Sequence, residues 1–70
     1  MLVLTRKQDE KTTICCPDGS FIEISVCRID SSYKVRLGFD AGKDYKITRT
    51  ELIEKSGLSK EEYFKRIPNQ

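Results

Sequence analysis

The stretch Tyr33-Lys34-Val35-Arg36-Leu37-Gly38-Phe39 decides the fold class. Tyr33, Val35, Leu37 and Phe39 fall on one parity, and Lys34, Arg36 and Gly38 on the other. A period of two predicts a half-buried strand with its apolar side inward. Turn chemistry lies on both sides of it, in Asp30-Ser31-Ser32 before and Asp40-Ala41-Gly42-Lys43 after. Upstream, residues 21–29 alternate with apolar groups on both faces. Phe21, Cys27 and Ile29 share one face with Glu23 and Ser25, and Ile22, Ile24 and Val26 share the other with Arg28. A strand apolar on two sides is expected to be central in a small barrel or sandwich. Pro17-Asp18-Gly19 is a tight-turn signal, with Pro presetting φ and Gly supplying a positive one. Residues 12–16 before it are a β-branched run, residues 7–11 a polar turn, and residues 1–6 a Leu/Val-rich strand placed for an edge. Downstream, residues 44–49 set Tyr45 and Ile47 opposite Lys46 and Thr48. Five strands with turn signals at spacings of about 8–12 residues predict an antiparallel all-β unit.

The pattern changes at Thr50. Thr50-Glu51-Leu52-Ile53-Glu54-Lys55 reads as a short helix closed by Gly57, a typical residue just past a helix end. Ser59-Lys60-Glu61-Glu62 has capping-box spacing and opens a second short helix through about residue 66. Tyr63, Phe64 and Ile67 share one side of that helix, and Pro68 ends it.

Seventy residues allow one small domain. A chain of this size buries only roughly 60% of its unfolded surface. The apolar fraction is 37% and the charged fraction 34%, so the missing core is expected to come from association with another subunit. Three cysteines, Cys15, Cys16 and Cys27, follow no secretory pattern and predict reduced thiols in a cytoplasmic protein. Neighbouring cysteines without any histidine make a poor zinc site. No run is long enough to span a membrane. The same lack of histidine removes triads and acid–base pairs built on it, and the glycines form no phosphate loop. Neither an enzyme nor a cofactor is expected. Cys15-Cys16 beside Pro17 reads as small core residues, with a redox-sensing thiol pair as the alternative.

The net charge of +2 is unevenly distributed. Residues 1–7 carry Arg6 and Lys7, a net +2. Residues 33–50 set Lys34, Arg36, Lys43, Lys46 and Arg49 against Asp40 and Asp44, a net +3, and the remainder is −3. Two basic segments able to lie side by side are either solvated strand ends or a footprint for a polyanion. Arg6, Arg36 and Arg49 lie at or near strand positions, and their planar forks suit phosphate or guanine edges. Strand edges can also read the splayed bases of single-stranded RNA through the backbone.

Met1-Leu2-Val3-Leu4-Thr5-Arg6-Lys7 resembles the N-terminal signature of the carbon storage regulators, the CsrA/RsmA family of bacterial translational regulators. Val35-Arg36-Leu37-Gly38-Phe39-Asp40-Ala41 with Lys43 is similar to that family's fourth strand and following loop. Lys46-Ile47-Thr48-Arg49-Thr50-Glu51-Leu52 resembles its fifth strand and helix start. The resemblance implies an all-β fold with short C-terminal helices, its five-stranded antiparallel chains interleaved in a homodimeric β-barrel or sandwich. It divides the chain into a CsrA-like RNA-binding domain, residues 1–53, and a C-terminal helical extension, residues 54–70. It implies two equivalent sites for GGA motifs in mRNA leaders, often in hairpin loops, through which translation or message stability is controlled. Each site would combine Leu4, Thr5, Arg6 and Lys7 of one chain with Tyr45, Lys46, Thr48 and Arg49 of the other. Arg49 falls on the family's key arginine. Asp40 and Ala41, followed by Lys43, fall on the loop that touches RNA, and Arg36 precedes it. Messenger RNA, small regulatory RNA carrying GGA motifs and a protein antagonist are the partners implied.

Several positions depart from the family pattern. Asp9-Glu10 stands where Gly-Glu is common, and Gly42 stands where proline would fix φ. Tyr45 and Lys46 are larger than usual; Tyr45 reads either as core or as a base-stacking group. The turn at residues 15–20 is longer. The segment 58–67 is not a hallmark and packs on its own sheet, frays or docks a partner. The alternative reading is a CsrA-like protein-interaction module with lost or altered RNA specificity.

Overall fold

A computed structural model describes residues 1–27 and 34–66. The turn expected at Asp30-Ser31-Ser32, Arg28 and Ile29 of the third strand, Tyr33, and the Ile67-Pro68 helix end lie outside the described residues. The elements are β1 (Leu2–Arg6), β2 (Lys11–Cys15), β3 (Phe21–Ser25), β4 (Val35–Phe39), β5 (Lys46–Arg49), α1 (Thr50–Ser56) and α2 (Lys60–Arg66). All strand pairs are antiparallel. The expected all-β architecture with short C-terminal helices is therefore present.

The strands form two sheets. β1 pairs with β4 alone, and the other sheet has the order β3-β2-β5. β3, expected at the centre of a sheet, lies at an edge, and β2 takes the central place. The apolar groups on both faces of β3 have different environments. Phe21 meets Phe64 of α2, with ring centroids 6.0 Å apart. Ile22, on the opposite face, stays 48% exposed.

Local chemistry fixes the connections. Around Pro17-Asp18-Gly19, the Gly19 amide donates to the Cys16 carbonyl at 3.0 Å. The Asp18 carboxylate accepts from the Ser20 amide at 2.9 Å and from its hydroxyl at 2.6 Å. Gly19 has φ 89°, a conformation that a Cβ disfavours. Between β1 and β2, Asp9 adopts φ 69°, where Asp is tolerated better than most side chains. This is a position at which the sequence resemblance leads glycine to be expected. The Asp9 amide donates to the Val26 carbonyl at 2.6 Å, which ties this turn to the end of β3. Gly57 closes α1 at φ 73°. The Ser59 hydroxyl accepts from the Glu62 amide at 3.2 Å and caps α2.

Among the described residues the buried apolar ones are few: Ile47, Ile53 and Phe64. α1 and α2 cover one face of the three-stranded sheet. On that face the Thr13 and Thr50 hydroxyls lie 2.8 Å apart, and Tyr63 meets Phe64 edge-on at 5.6 Å. The C-terminal segment thus packs on its own sheet through α2. Met1, Val3, Ile22, Tyr45 and Leu52 remain exposed.

Candidate nucleic-acid interface

Register sets which side chains of β1 face out. Leu2 pairs with Phe39, Leu4 with Leu37 and Arg6 with Val35, whereas Val3 pairs with Gly38 and Thr5 with Arg36. Directly opposed residues share a face. Leu4 and Arg6 therefore belong to the inward, apolar face, and Thr5 and Arg36 to the exposed one. Arg6 is only 2% exposed. Its Nη1 donates to Glu51 Oε2 at 3.0 Å, and its Nη2 to Glu51 Oε1 at 2.6 Å and to the Lys11 carbonyl at 2.8 Å. The Glu51 carboxyl is held below the ordinary carboxylate range, first by this hydrogen bonding from Arg6. The Arg6 guanidinium is held above its ordinary value for the same reason, against the opposing effect of burial.

On β5 the outcome is also split by parity. Thr48 is buried opposite Thr13, under the helices. Lys46 lies on that same side, and its Nζ donates to the Phe64 carbonyl at 2.8 Å, where a cation suits the last turn of α2. Arg49 is exposed at the end of the strand, opposite Thr12.

The structure gathers some of the expected residues within a single chain, whereas the resemblance implied that the β1 and β5 residues of each site come from different chains. Thr5, Lys7 and Arg49 line one shallow cleft of about 230 Å³, with Arg6, Glu10 and Glu51 in its wall. Lys34 completes its cationic rim, a residue that the sequence-based site left out. The alternation of residues 33–39 had already placed it on the outward parity. The Lys7, Lys34 and Arg49 side chains make no ion pair or hydrogen bond among the described residues, whereas both carboxylates in the wall approach Arg6.

Other expected residues lie elsewhere. Asp40, Ala41 and Tyr45 line a second cleft with Met1, Leu2 and Ile47. The antiparallel register puts that cleft at the start of β1 and Lys7 just past its end, roughly 17 Å apart along an extended strand. Gly42, also in this cleft, accepts from the Tyr45 amide at 3.1 Å. Lys43, within this turn, is exposed.

The model of the CsrA global regulator protein family matches residues 1–57. The chain belongs to the CsrA family. Among curated relatives, the translational regulator CsrA of Helicobacter hepaticus is 46% identical over 54 residues, 77% of this chain and 62% of that protein. The translational regulator CsrA of Thermosipho africanus is 41% identical over 54 residues, covering 77% of this chain and 67% of that protein. The one from Hydrogenovibrio crunogenus is 46% identical over 56 residues, 80% of this chain and 73% of that protein. The chain thus spans less than two thirds of the Helicobacter hepaticus relative. No solved structure gives a significant match. The family match ends at residue 57, just past α1, so α2 lies beyond it.

Proposed function

We propose that this chain is a cytoplasmic RNA-binding translational regulator, neither an enzyme nor dependent on a cofactor, acting on GGA motifs in mRNA leaders. The observation that carries this reading is the rim formed by Lys7, Lys34 and Arg49, three cations around one cleft whose side chains make no hydrogen bond or ion pair among the described residues. Carboxylates in the same cleft would repel a polyanion, but they lie against Arg6. The names of the relatives point the same way.

The working form in this proposal is a homodimer. β1 and β5 each have one edge unpaired within the chain, and open edges invite pairing. Placing β1 of one chain beside β5 of another would cover them, and exposed Val3, Ile22 and Tyr45 supply apolar surface for the contact. Residues 1–53 serve as the RNA-binding domain, followed by the helical extension, residues 54–70, whose α2 backs β5 through the Lys46–Phe64 contact. Small regulatory RNAs carrying GGA motifs and a protein antagonist are the further partners in this reading.

Titration with a GGA-bearing RNA hairpin tests the proposal. Binding is expected to saturate and to weaken with salt, as phosphate neutralisation requires. Arg49→Ala is expected to cost about 1–3 kcal/mol of binding free energy. Unchanged affinity for a CCA loop would remove the sequence-specific claim. The alternative, a protein-interaction module, would use the C-terminal helices for docking, but Phe64, the most buried apolar residue among those described, turns toward the sheet.

A further inference from the structure

Arg6 is the one charged side chain among the buried residues described. Both Glu51 oxygens and the Lys11 carbonyl occupy its terminal nitrogens. Glu10 approaches Nη1 at 4.0 Å, and the buried Nε has no partner. A fork committed in this way is not available to a phosphate unless it leaves its surroundings. Its position in the chain is equally informative. Lys7 follows Arg6 directly, and Arg49 precedes Glu51 by two residues. The ion pair therefore joins two segments that each carry an exposed cation, and the Arg49 charge itself helps to hold the Glu51 carboxyl down. No ladder of strand hydrogen bonds joins the two sheets that hold those segments.

We propose that Arg6 is a positioning residue rather than an RNA contact. Through Glu51, Arg6 clamps the end of β1 to the first turn of α1 and so holds Lys7 and Arg49 on one rim. This deepens the RNA-binding reading and rests on it. It also gives an acidic residue a favourable part in binding a polyanion. By charge alone, removing Glu51 should strengthen RNA binding, since one repulsion disappears. If the clamp matters more, removing it weakens binding.

The experiment is a salt-dependent titration of a GGA-bearing RNA hairpin with the full chain and the variants Glu51→Gln, Arg6→Gln and their combination. The expected result is a loss of about tenfold for each single variant, with the double variant no weaker than either. That non-additivity marks residues acting as one unit. Arg6→Gln is also expected to keep the wild-type slope of log K against log salt, because no phosphate contact is lost. Glu51→Asp keeps the charge and shortens the reach, and is expected to weaken binding severalfold. This variant serves if the neutral ones do not fold, and circular dichroism establishes which variants do. Tighter or unchanged binding by the folded Glu51 variants would overturn the clamp. So would an Arg6→Gln slope shallower by about 0.9, which is the signature of a lost phosphate contact. Wild-type protein that bound no RNA would instead remove the functional reading itself, and the clamp's role with it.

Discussion

The three-stranded and two-stranded sheets are built from strands of similar length, yet different interactions fasten them to the rest of the chain. β3-β2-β5 is covered on one face by the helices, where Ile53 of α1 and Phe64 of α2 are buried, while Ile47 on its other face lines the cleft with Met1, Leu2 and Phe39 of the two-stranded sheet. In β1-β4 the apolar residues Leu2, Leu4, Val35, Leu37 and Phe39 are only half-buried, and the one fully buried side chain is Arg6. The three-stranded sheet has a buried apolar layer under its helices, whereas the best-buried side chain of the two-stranded sheet is an ion-paired arginine. Apolar burial is non-directional, whereas a two-pronged arginine–carboxylate contact fixes orientation. The proposed interface sits where orientation matters, at the Arg6 end of the two-stranded sheet.

The difference can be broken from either side. Phe64→Ala is expected to have the largest effect, destabilising the fold by about 3–4 kcal/mol through loss of its buried ring. Urea unfolding followed by circular dichroism measures this. Glu51→Ala should cost less, about 1–2 kcal/mol. Breaking a fully buried pair costs about 3–5 kcal/mol, but this carboxylate is half-exposed and water screens part of the interaction. A loss from Glu51→Ala as large as that from Phe64→Ala would erase the distinction between the sheets.

Acid should reach the ion pair selectively. The Glu51 carboxyl titrates below its ordinary range because the folded chain hydrogen-bonds its charged form to Arg6. A group lowered by folding contributes stability that is complete above its unfolded pKa and is lost as pH falls through the folded one. Asp18, lowered by the Ser20 hydroxyl, and Glu23, lowered by Lys60, act in the same direction. The expected readout is therefore a difference: acidification narrows the stability gap between wild type and Glu51→Gln. A gap that stayed constant below the ordinary carboxylate range would contradict the assignment. The smallest effect concerns the turn between the sheets. Asp9→Gly relieves the left-handed backbone but adds freedom to the unfolded chain, and a net stabilisation of about 0.5 kcal/mol is expected in thermal melts.

Much of this fold is legible in local chemistry. Pro17-Asp18-Gly19, Gly57 and Ser59 announce their turn and caps because each acts on neighbouring backbone. The alternation of residues 33–39 gives the inward face of β4 for the same reason. The pairing of β1 with β4, and the edge place of β3, depend on contacts between distant segments that no local pattern encodes. The site was legible as positions rather than as faces. Arg6 shares the parity of Leu2 and Leu4, a visible warning that it points inward, but the resemblance treats residues 4–7 as one block. Thr48 and Lys46 share a parity too, and nothing local says that two helices cover that side. Lys34 was read as outward, yet its place beside Lys7 follows only from the register of β1 on β4.

The most direct test compares the two regions by their cations. Lys34→Ala alters the rim of the cleft at the two-stranded sheet, and Lys65→Ala an exposed position on α2, over the three-stranded one. Affinity of each variant for a GGA-bearing RNA hairpin is measured across a range of salt concentrations. Lys34→Ala is expected to weaken binding and to make the slope of log K against log salt shallower by about 0.9, with Lys65→Ala matching wild type. Equal losses from the two variants, or an unaltered slope for Lys34→Ala, would show that RNA does not bind at the rim where Lys7, Lys34 and Arg49 meet.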